Sequence, residues 1–127
     1  MGDILHIAIA DDDSVTREFL FRALQHLGHE VVCTAENGRQ LVDYCLRSPP
    51  DLVITDFQMP QLDGISAAAE IAGQHEIPII ILSGTELPRR IEQLSSVHTL
   101  FHRLKPISRG DLEVLLNKVI DIAAVAS

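Results

Sequence analysis

Five short apolar runs punctuate the chain: Ile4–Ala10, Glu30–Thr34, Leu52–Thr55, Ile79–Leu82 and Leu100–Leu104. Several are continuously apolar and rich in Ile and Val, as strands covered on both faces tend to be. Their shortness and the breakers around them favour strands over buried helix segments. The stretches between them carry a longer period. Over Ser14–Leu27, Val15, Phe19, Ala23 and Leu27 recur every fourth position, the pattern of one helical face, and Gly28 follows as a C-terminal stop. Asn37 is placed to cap a helix over Gly38–Arg47, which Ser48-Pro49-Pro50 then ends. Asp63-Gly64 opens a third helix over Ile65–Gln74, and a short, weakly patterned helix covers Pro88–Ser95. Ser108, with Asp111 three residues on, reads as a capping box for a final helix through about Ala124. Its apolar stripe is Leu112, Leu115, Leu116, Val119 and Ile122. Strand–helix alternation repeated five times predicts a doubly wound α/β sandwich, one domain over residues 1–127.

Polar groups collect where four of these runs end. Asp11-Asp12-Asp13 follows the first, Asp56 the third, Ser83 the fourth and Lys105-Pro106 the fifth. In an open parallel sheet, ligands bind in the crevice at the carboxyl ends of the strands. Clustered carboxylates, a hydroxyl and an ammonium would therefore converge there, a set suited to a divalent cation plus a phosphoryl group. Adjacent aspartates repel one another and are costly to desolvate without a counter-charge. Mg²⁺ removes that cost, because it prefers oxygen ligands and binds through one or two carboxylates. Each residue alone has a plainer explanation. Asp13 can cap the first helix, Asp56 and Ser83 can serve turns, and a single lysine is usually a solvated charge. The functional reading is joint, since all four positions fall at strand ends.

Composition narrows the classes further. The chain has 127 residues and a formal charge of −8, which argues against direct nucleic-acid binding by this domain. No apolar run approaches the roughly 18 residues that would cross a membrane, and Met1-Gly2-Asp3 shows no targeting signal, so a cytoplasmic location is expected. Cys33 and Cys45 fit no metal or redox spacing and read as buried, reduced thiols. The six histidines show no ligand spacing, and Arg89, Arg90 and Arg103 read as solvated.

At this point the chain resembles a receiver domain of two-component response regulators, from Ile4 to about Ala124. The resemblance rests on Asp11-Asp12, on Asp51–Gly64 (DLVITDFQMPQLDG), on Pro78–Gly84 and on Lys105-Pro106, in that order and at that spacing. It implies a flavodoxin-like (βα)5 three-layer sandwich of five parallel strands in order 2-1-3-4-5, with five helices. It implies that Asp56 accepts a phosphoryl group from a histidine kinase or a histidine phosphotransfer protein, in a switch that catalyses its own phosphorylation and dephosphorylation. Asp12, Asp56 and the backbone carbonyl of Gln58 would ligate Mg²⁺, with Asp11 acting largely through water. Lys105 would pair with a phosphoryl oxygen, Ser83 would turn towards the acyl phosphate, and the Lys105–Pro106 bond would be cis. The readout face would be the fourth helix, the fifth strand and the fifth helix. It would bind a downstream protein target, a second copy of the chain, or an output domain beyond Ser127. One position departs from the family. Three residues before the lysine, where Tyr or Phe is usual, stands His102, so the aromatic switch is expected to be altered or weak.

Three other readings compete. A phosphohydrolase of the haloacid dehalogenase type would use Asp11 as nucleophile and leave Asp56 unexplained. A dinucleotide- or flavin-binding module lacks its Gly-rich or Ser/Thr-rich phosphate loop after the first strand. An inactive pseudo-receiver would not need the acidic pair, Asp56, Ser83 and Lys105 together.

Overall fold

The computed structural model describes residues 4–126; Met1-Gly2-Asp3, read above for a targeting signal, and Ser127 lie outside the described residues. Strands β1 (His6–Ala10), β2 (Glu30–Ala35), β3 (Leu52–Asp56), β4 (Ile79–Ser83) and β5 (Leu100–Leu104) form one parallel sheet in the order β2-β1-β3-β4-β5. The connections are α1 (Ser14–His26), α2 (Gly38–Arg47), α3 (Gly64–Ala72) and a 3-10 helix (Arg89–Leu94); α4 (Arg109–Ala126) follows β5.

Alternate residues of a strand point to opposite faces, which divides the core in two. Ile7, Ile9, Leu52, Ile54, Ile80 and Leu82 pack with Leu20 and Leu24 of α1 and Leu112, Leu115, Leu116 and Val119 of α4. On the other face, Ala8, Ala10, Val53, Ile79 and Ile81 pack with Leu41, Val42 and Cys45 of α2 and Ile65, Ala68 and Ile71 of α3. β3 and β4 are buried throughout, whereas the edge strands β2 and β5 are only partly covered. Each large aliphatic side chain so buried contributes about 1.5–3 kcal/mol. The strand ends that carry the polar cluster are therefore anchored by the core beneath them.

The caps fall where the sequence places them. Asn37 accepts from the Gln40 N–H at 2.9 Å, and Asp63 from the Ser66 N–H at 2.8 Å. Ser108 and Asp111 exchange bonds at 3.0 and 3.4 Å. Two expectations need correction. On α1 the buried residues are Leu20, Ala23 and Leu24, while Val15 is 74% and Phe19 40% exposed. Four residues turn a helix by about 400°, so a strict fourfold repeat drifts about 40° per step and leaves the face it started on. Val15 and Phe19 overhang the carboxyl end of the sheet instead. The short helix expected after β4 is present over Arg89–Leu94 and has 3-10 geometry. Pro88 offers no side-chain cap, and its apolar residues Ile91 and Leu94 stand three apart, the 3-10 period. On α4, Ile122 is also more exposed than the stripe predicts.

Two glycines are required by close approach of backbone. A Cβ on Gly64 would lie 2.2 Å from the Asp56 carbonyl oxygen, and one on Gly38 would lie 2.1 Å from that of Leu62. Gly64 N–H donates to the Phe57 carbonyl at 2.7 Å, and Gly38 N–H to Leu62 at 3.1 Å. The loop 57–63 is thus drawn back over the end of β3.

Candidate functional site

The aspartate triplet divides its duties. Asp13 caps α1, accepting from the Val15 N–H at 3.3 Å and the Thr16 hydroxyl at 2.7 Å. The Thr16 bond, then the Val15 bond, hold its carboxyl below the usual range. Asp11 turns inward and is 1% exposed; its Oδ1 accepts from the Asp13 N–H at 2.9 Å and its Oδ2 from Lys105 Nζ at 2.8 Å. Arg17 donates to the Asp11 carbonyl oxygen at 2.7 Å and fixes the backbone from the α1 side. Asp12 is exposed at the mouth of the site. Carboxylate oxygens of Asp11, Asp12 and Asp56 all lie within 4.8 Å of one another.

Asp56, the last residue of β3, is buried. Its Oδ1 accepts from the Phe57 N–H at 3.0 Å and lies 3.1 Å from Lys105 Nζ. Burial, followed by the charge of Asp11, raises its carboxyl above the ordinary range, and Lys105 and the Phe57 N–H offset only part of this. For Lys105 the balance is reversed. Burial pulls the ammonium down, but its bonds to Asp11 and Asp56 and their charges outweigh burial, and the net shift is upward. Lys105 is therefore a fixed cation bridging two buried carboxylates. The Lys105 N–H reaches the Ser83 carbonyl at 2.7 Å, and the Lys105–Pro106 bond is cis.

Ser83, at the end of β4, is 2% exposed. Its hydroxyl donates to the Thr85 carbonyl, and its Oγ lies 3.0 Å from Nε2 of His102. His102, which stands where the resemblance implies an aromatic side chain that couples to this hydroxyl, thus has its ring against Ser83. Gln58 is exposed in loop 57–63 beside Asp56. Arg90, read above as solvated, instead binds Asp63 at 2.9 and 3.3 Å and the Ser66 hydroxyl at 2.9 Å. Cys45 is buried and Cys33 half-buried, both as free thiols, and burial pushes Cys45 up to about 12. His6 pairs with Asp51 at 3.0 Å at the opposite end of the sheet, away from this site.

The donor set suits a hard divalent cation. One ammonium faces three clustered carboxylates, which leaves two formal negative charges uncompensated in a partly dry pocket. Beside it runs a groove of about 390 Å³ lined by Val15, Thr16, Phe19, Leu82, Pro106 and Ile107. A second groove, of about 530 Å³, lies on the far side of β5 and is lined by Glu86, Leu87, Ile91, His102, Arg103 and Leu104.

The family model for the response regulator receiver domain matches residues 7–117. The chain belongs to that family. It is 32% identical over 123 residues to the transcriptional regulatory protein PdtaR of Mycobacterium tuberculosis, an alignment covering 94% of this chain and 60% of that protein. The chain spans 60% or less of the length of the curated relatives it matches, among them a sensory transduction protein LytT of Oceanobacillus iheyensis, 31% identical over 91% of this chain and 48% of that protein. The fold is that of the receiver domain of a modulated diguanylate cyclase from Desulfovibrio desulfuricans, with a TM-score of 0.86, 22% identity, and coverage of 98% and 100%. It is also that of the chemotaxis protein CheY4 of Vibrio cholerae, with a TM-score of 0.81, 24% identity, and coverage of 92% and 99%. As a receiver of two-component signalling, the chain is of a phosphoacceptor-switch family. Among the described residues no helix is long and apolar enough to cross a membrane.

Proposed function

We propose that the chain accepts a phosphoryl group on Asp56 from a phosphohistidine of a sensor kinase or phosphotransfer protein, in the cytoplasm. The observation that carries this reading is the bridge of Lys105 Nζ between Asp11 Oδ2 at 2.8 Å and Asp56 Oδ1 at 3.1 Å, beside the third carboxylate of Asp12. Phosphoryl transfer asks little covalent chemistry of a protein, and catalysis is mostly positioning and charge stabilisation. The Phe57 N–H and Lys105 hold the Asp56 carboxylate in one orientation at the rim of the sheet. A carboxylate oxygen attacks phosphorus in line, forming a P–O bond as the P–N bond to the donor imidazole breaks. The departing nitrogen keeps the bonding pair and takes a proton from solvent. Lys105 faces the phosphoryl oxygens and offsets their charge. Asp11, Asp12, Asp56 and the Gln58 carbonyl would hold Mg²⁺, which supplies the remaining neutralisation. Hydrolysis of the acyl phosphate by water returns the carboxylate.

The apolar groove of Val15, Phe19, Pro106 and Ile107 borders Lys105 and is where a donor helix would rest with its phosphohistidine over Asp56. On phosphorylation, Ser83 and Lys105 turn to the new dianion and bias the segment after β4. The face of the 3-10 helix, β5 and α4, where Leu104 is exposed, would then meet a protein target, an output domain or a second copy of the chain. The net charge of −8 favours a protein rather than nucleic acid as the direct partner. Intact-mass measurement after incubation with acetyl phosphate tests the reading. A gain of one phosphoryl group that requires Mg²⁺ and is lost in Asp56→Asn is expected. A gain that survives in Asp56→Asn would move the nucleophile to Asp11.

A further inference from the structure

Loop 57–63 carries the Gln58 carbonyl beside Asp56, yet Gln58, Pro60 and Gln61 are exposed, so burial does not hold it. The loop is also strained. Gln61 has a φ of 68°, in the left-handed region that a residue with a side chain keeps where its surroundings impose it. Ties from three other elements do so. The Phe57 N–H donates to the Leu82 carbonyl of β4 at 2.9 Å, and the Gly38 N–H of α2 holds the Leu62 carbonyl at 3.1 Å. The third tie is Arg90 of the 3-10 helix. Its guanidinium meets both carboxylate oxygens of Asp63, at 2.9 and 3.3 Å, and the Ser66 hydroxyl at 2.9 Å. A planar guanidinium that grips a carboxylate by two bonds fixes its orientation as well as its place. Among the described residues this is the one polar tie between loop 57–63 and the segment after β4.

We propose that Arg90 is a positioning residue for the metal site: from the 3-10 helix it clamps Asp63 and so holds loop 57–63 with the Gln58 carbonyl in place for Mg²⁺. This rests on the reading of Asp11, Asp12, Asp56 and Gln58 as the Mg²⁺ ligands. Asp63 closes the loop, and its neighbour Gly64 donates to the Phe57 carbonyl at 2.7 Å. A shift at Asp63 is thereby passed to residue 57, next to Gln58. Without the clamp the α3 cap survives, because Asp63 still accepts from the Ser66 N–H at 2.8 Å. The loop, however, gains freedom that is lost again when metal binds, and affinity falls. Such coupling is reciprocal. Metal binding should steady the 3-10 helix as much as the 3-10 helix favours metal, by a route that does not pass through Ser83.

A plainer role for Arg90 is that of a cation in the field of an acidic site. The two roles differ in sign. Removing Arg90 takes away a positive charge, which by field alone would tighten Mg²⁺ binding. Asp63→Asn takes away a negative charge, which by field alone would weaken it, and it keeps an acceptor for the cap, since Asn caps as well as Asp. Loss of positioning weakens binding in both.

The test is titration of the intact, metal-free chain with Mg²⁺, followed by amide NMR at about 0.15 M salt, where exposed charges are screened beyond about 8 Å. Arg90→Ala and Asp63→Asn should each weaken Mg²⁺ about two- to fivefold, which is what a partly exposed pair can supply. The double variant should bind no more weakly than either alone, and Arg90→Lys, with one ammonium for the two-pronged grip, should fall between Arg90→Ala and the native chain. Arg39→Ala removes a pair with Glu70, at 3.1 and 3.2 Å, that joins α2 to α3 without touching the loop, and it should bind as the native chain does. Native affinity in Arg90→Ala, or opposite shifts in Arg90→Ala and Asp63→Asn, overturns the proposal and leaves the reading of the metal site intact. No Mg²⁺ binding by the native chain overturns both. Amide hydrogen exchange supplies a readout without metal. The Phe57, Leu62 and Gly64 amides should exchange faster in Arg90→Ala than in the native chain, and Mg²⁺ should slow the Ile91 amide in the native chain but not in the variant. Unchanged exchange of the loop amides in Arg90→Ala overturns the clamp.

Discussion

Replacing Lys105 with methionine removes the ammonium and keeps most of the stem. In the native chain Nζ lies 2.8 Å from Asp11 Oδ2 and 3.1 Å from Asp56 Oδ1. At about 3 Å and an effective dielectric near 20, each attraction is worth about 5 kcal/mol before desolvation of the ammonium is subtracted. Removing one partner of a buried pair costs about 3–5 kcal/mol. Lys105 is one-quarter exposed, and solvent screening places this case near the lower end. A loss of about 3 kcal/mol lowers the melting temperature by roughly 10 °C in a chain of this size. The loss should depend on pH. Without the ammonium, Asp11 and Asp56 face each other unshielded, and the Asp56 carboxyl, already raised by burial and Asp11, rises further. A group whose folded pKa exceeds its unfolded value adds stability as pH falls through the folded value. The deficit of Lys105→Met should therefore be greatest at neutral pH and shrink as pH falls into the acid range. Mg²⁺ should recover part of it by binding only the folded state. Thermal melts of both chains, with chelator and with Mg²⁺, at neutral and acid pH decide the matter. A Lys105→Met variant melting at or above the native chain in metal-free neutral buffer would refute the reasoning.

Gly64→Ala sets a Cβ 2.2 Å from the Asp56 carbonyl oxygen, so loop 57–63 must shift; urea unfolding should show a loss of at least about 2 kcal/mol, with reduced phosphoryl incorporation. Asp63→Ala removes the α3 cap and should cost about 1 kcal/mol in urea unfolding. Arg90→Ala leaves the cap and removes a partly exposed pair with Asp63 and the bond to the Ser66 hydroxyl, so it should cost less than Asp63→Ala. Burial raises the Asp63 carboxyl, but Arg90 and the Ser66 N–H lower it more, and the net shift is downward. Its contribution is therefore present at neutral pH and fades as pH falls through the folded value, and native and Asp63→Ala stabilities should converge in acid.

The strand ends were readable because two-sided burial writes a continuous apolar run, and β3 and β4 are such runs. The caps at Asn37, Asp63 and Ser108 were readable because capping is local, spanning three residues. What failed was anything set by the angle between elements. The drift of a fourfold repeat hid which face of α1 is buried, and left Val15 and Phe19 free to line a groove with Pro106 and Ile107. The short helix after β4 was readable as a helix but not as a 3-10 helix, because a stretch so short carries too few periods to separate three from 3.6. Within the site, Asp11, Asp12, Asp56 and Lys105 gather at one edge of the parallel sheet, and Ser83 adjoins them through its carbonyl, which accepts from the Lys105 N–H, while its hydroxyl faces Thr85 and His102. The bond between His102 and Ser83 depends on register between β4 and β5, where Ile81 stands opposite His102 and Ser83 opposite Leu104. No spacing along the chain states that register.

Phosphorylation at Asp56 is tested most directly by trapping the acyl phosphate. The chain is incubated with Mg²⁺ and acetyl phosphate, reduced with borohydride, digested and sequenced by tandem mass spectrometry. Reduction of an aspartyl phosphate releases phosphate and leaves homoserine at the modified position. Homoserine at position 56, absent without Mg²⁺, is expected. Homoserine at position 11, or at neither position after stoichiometric labelling, would contradict the assignment.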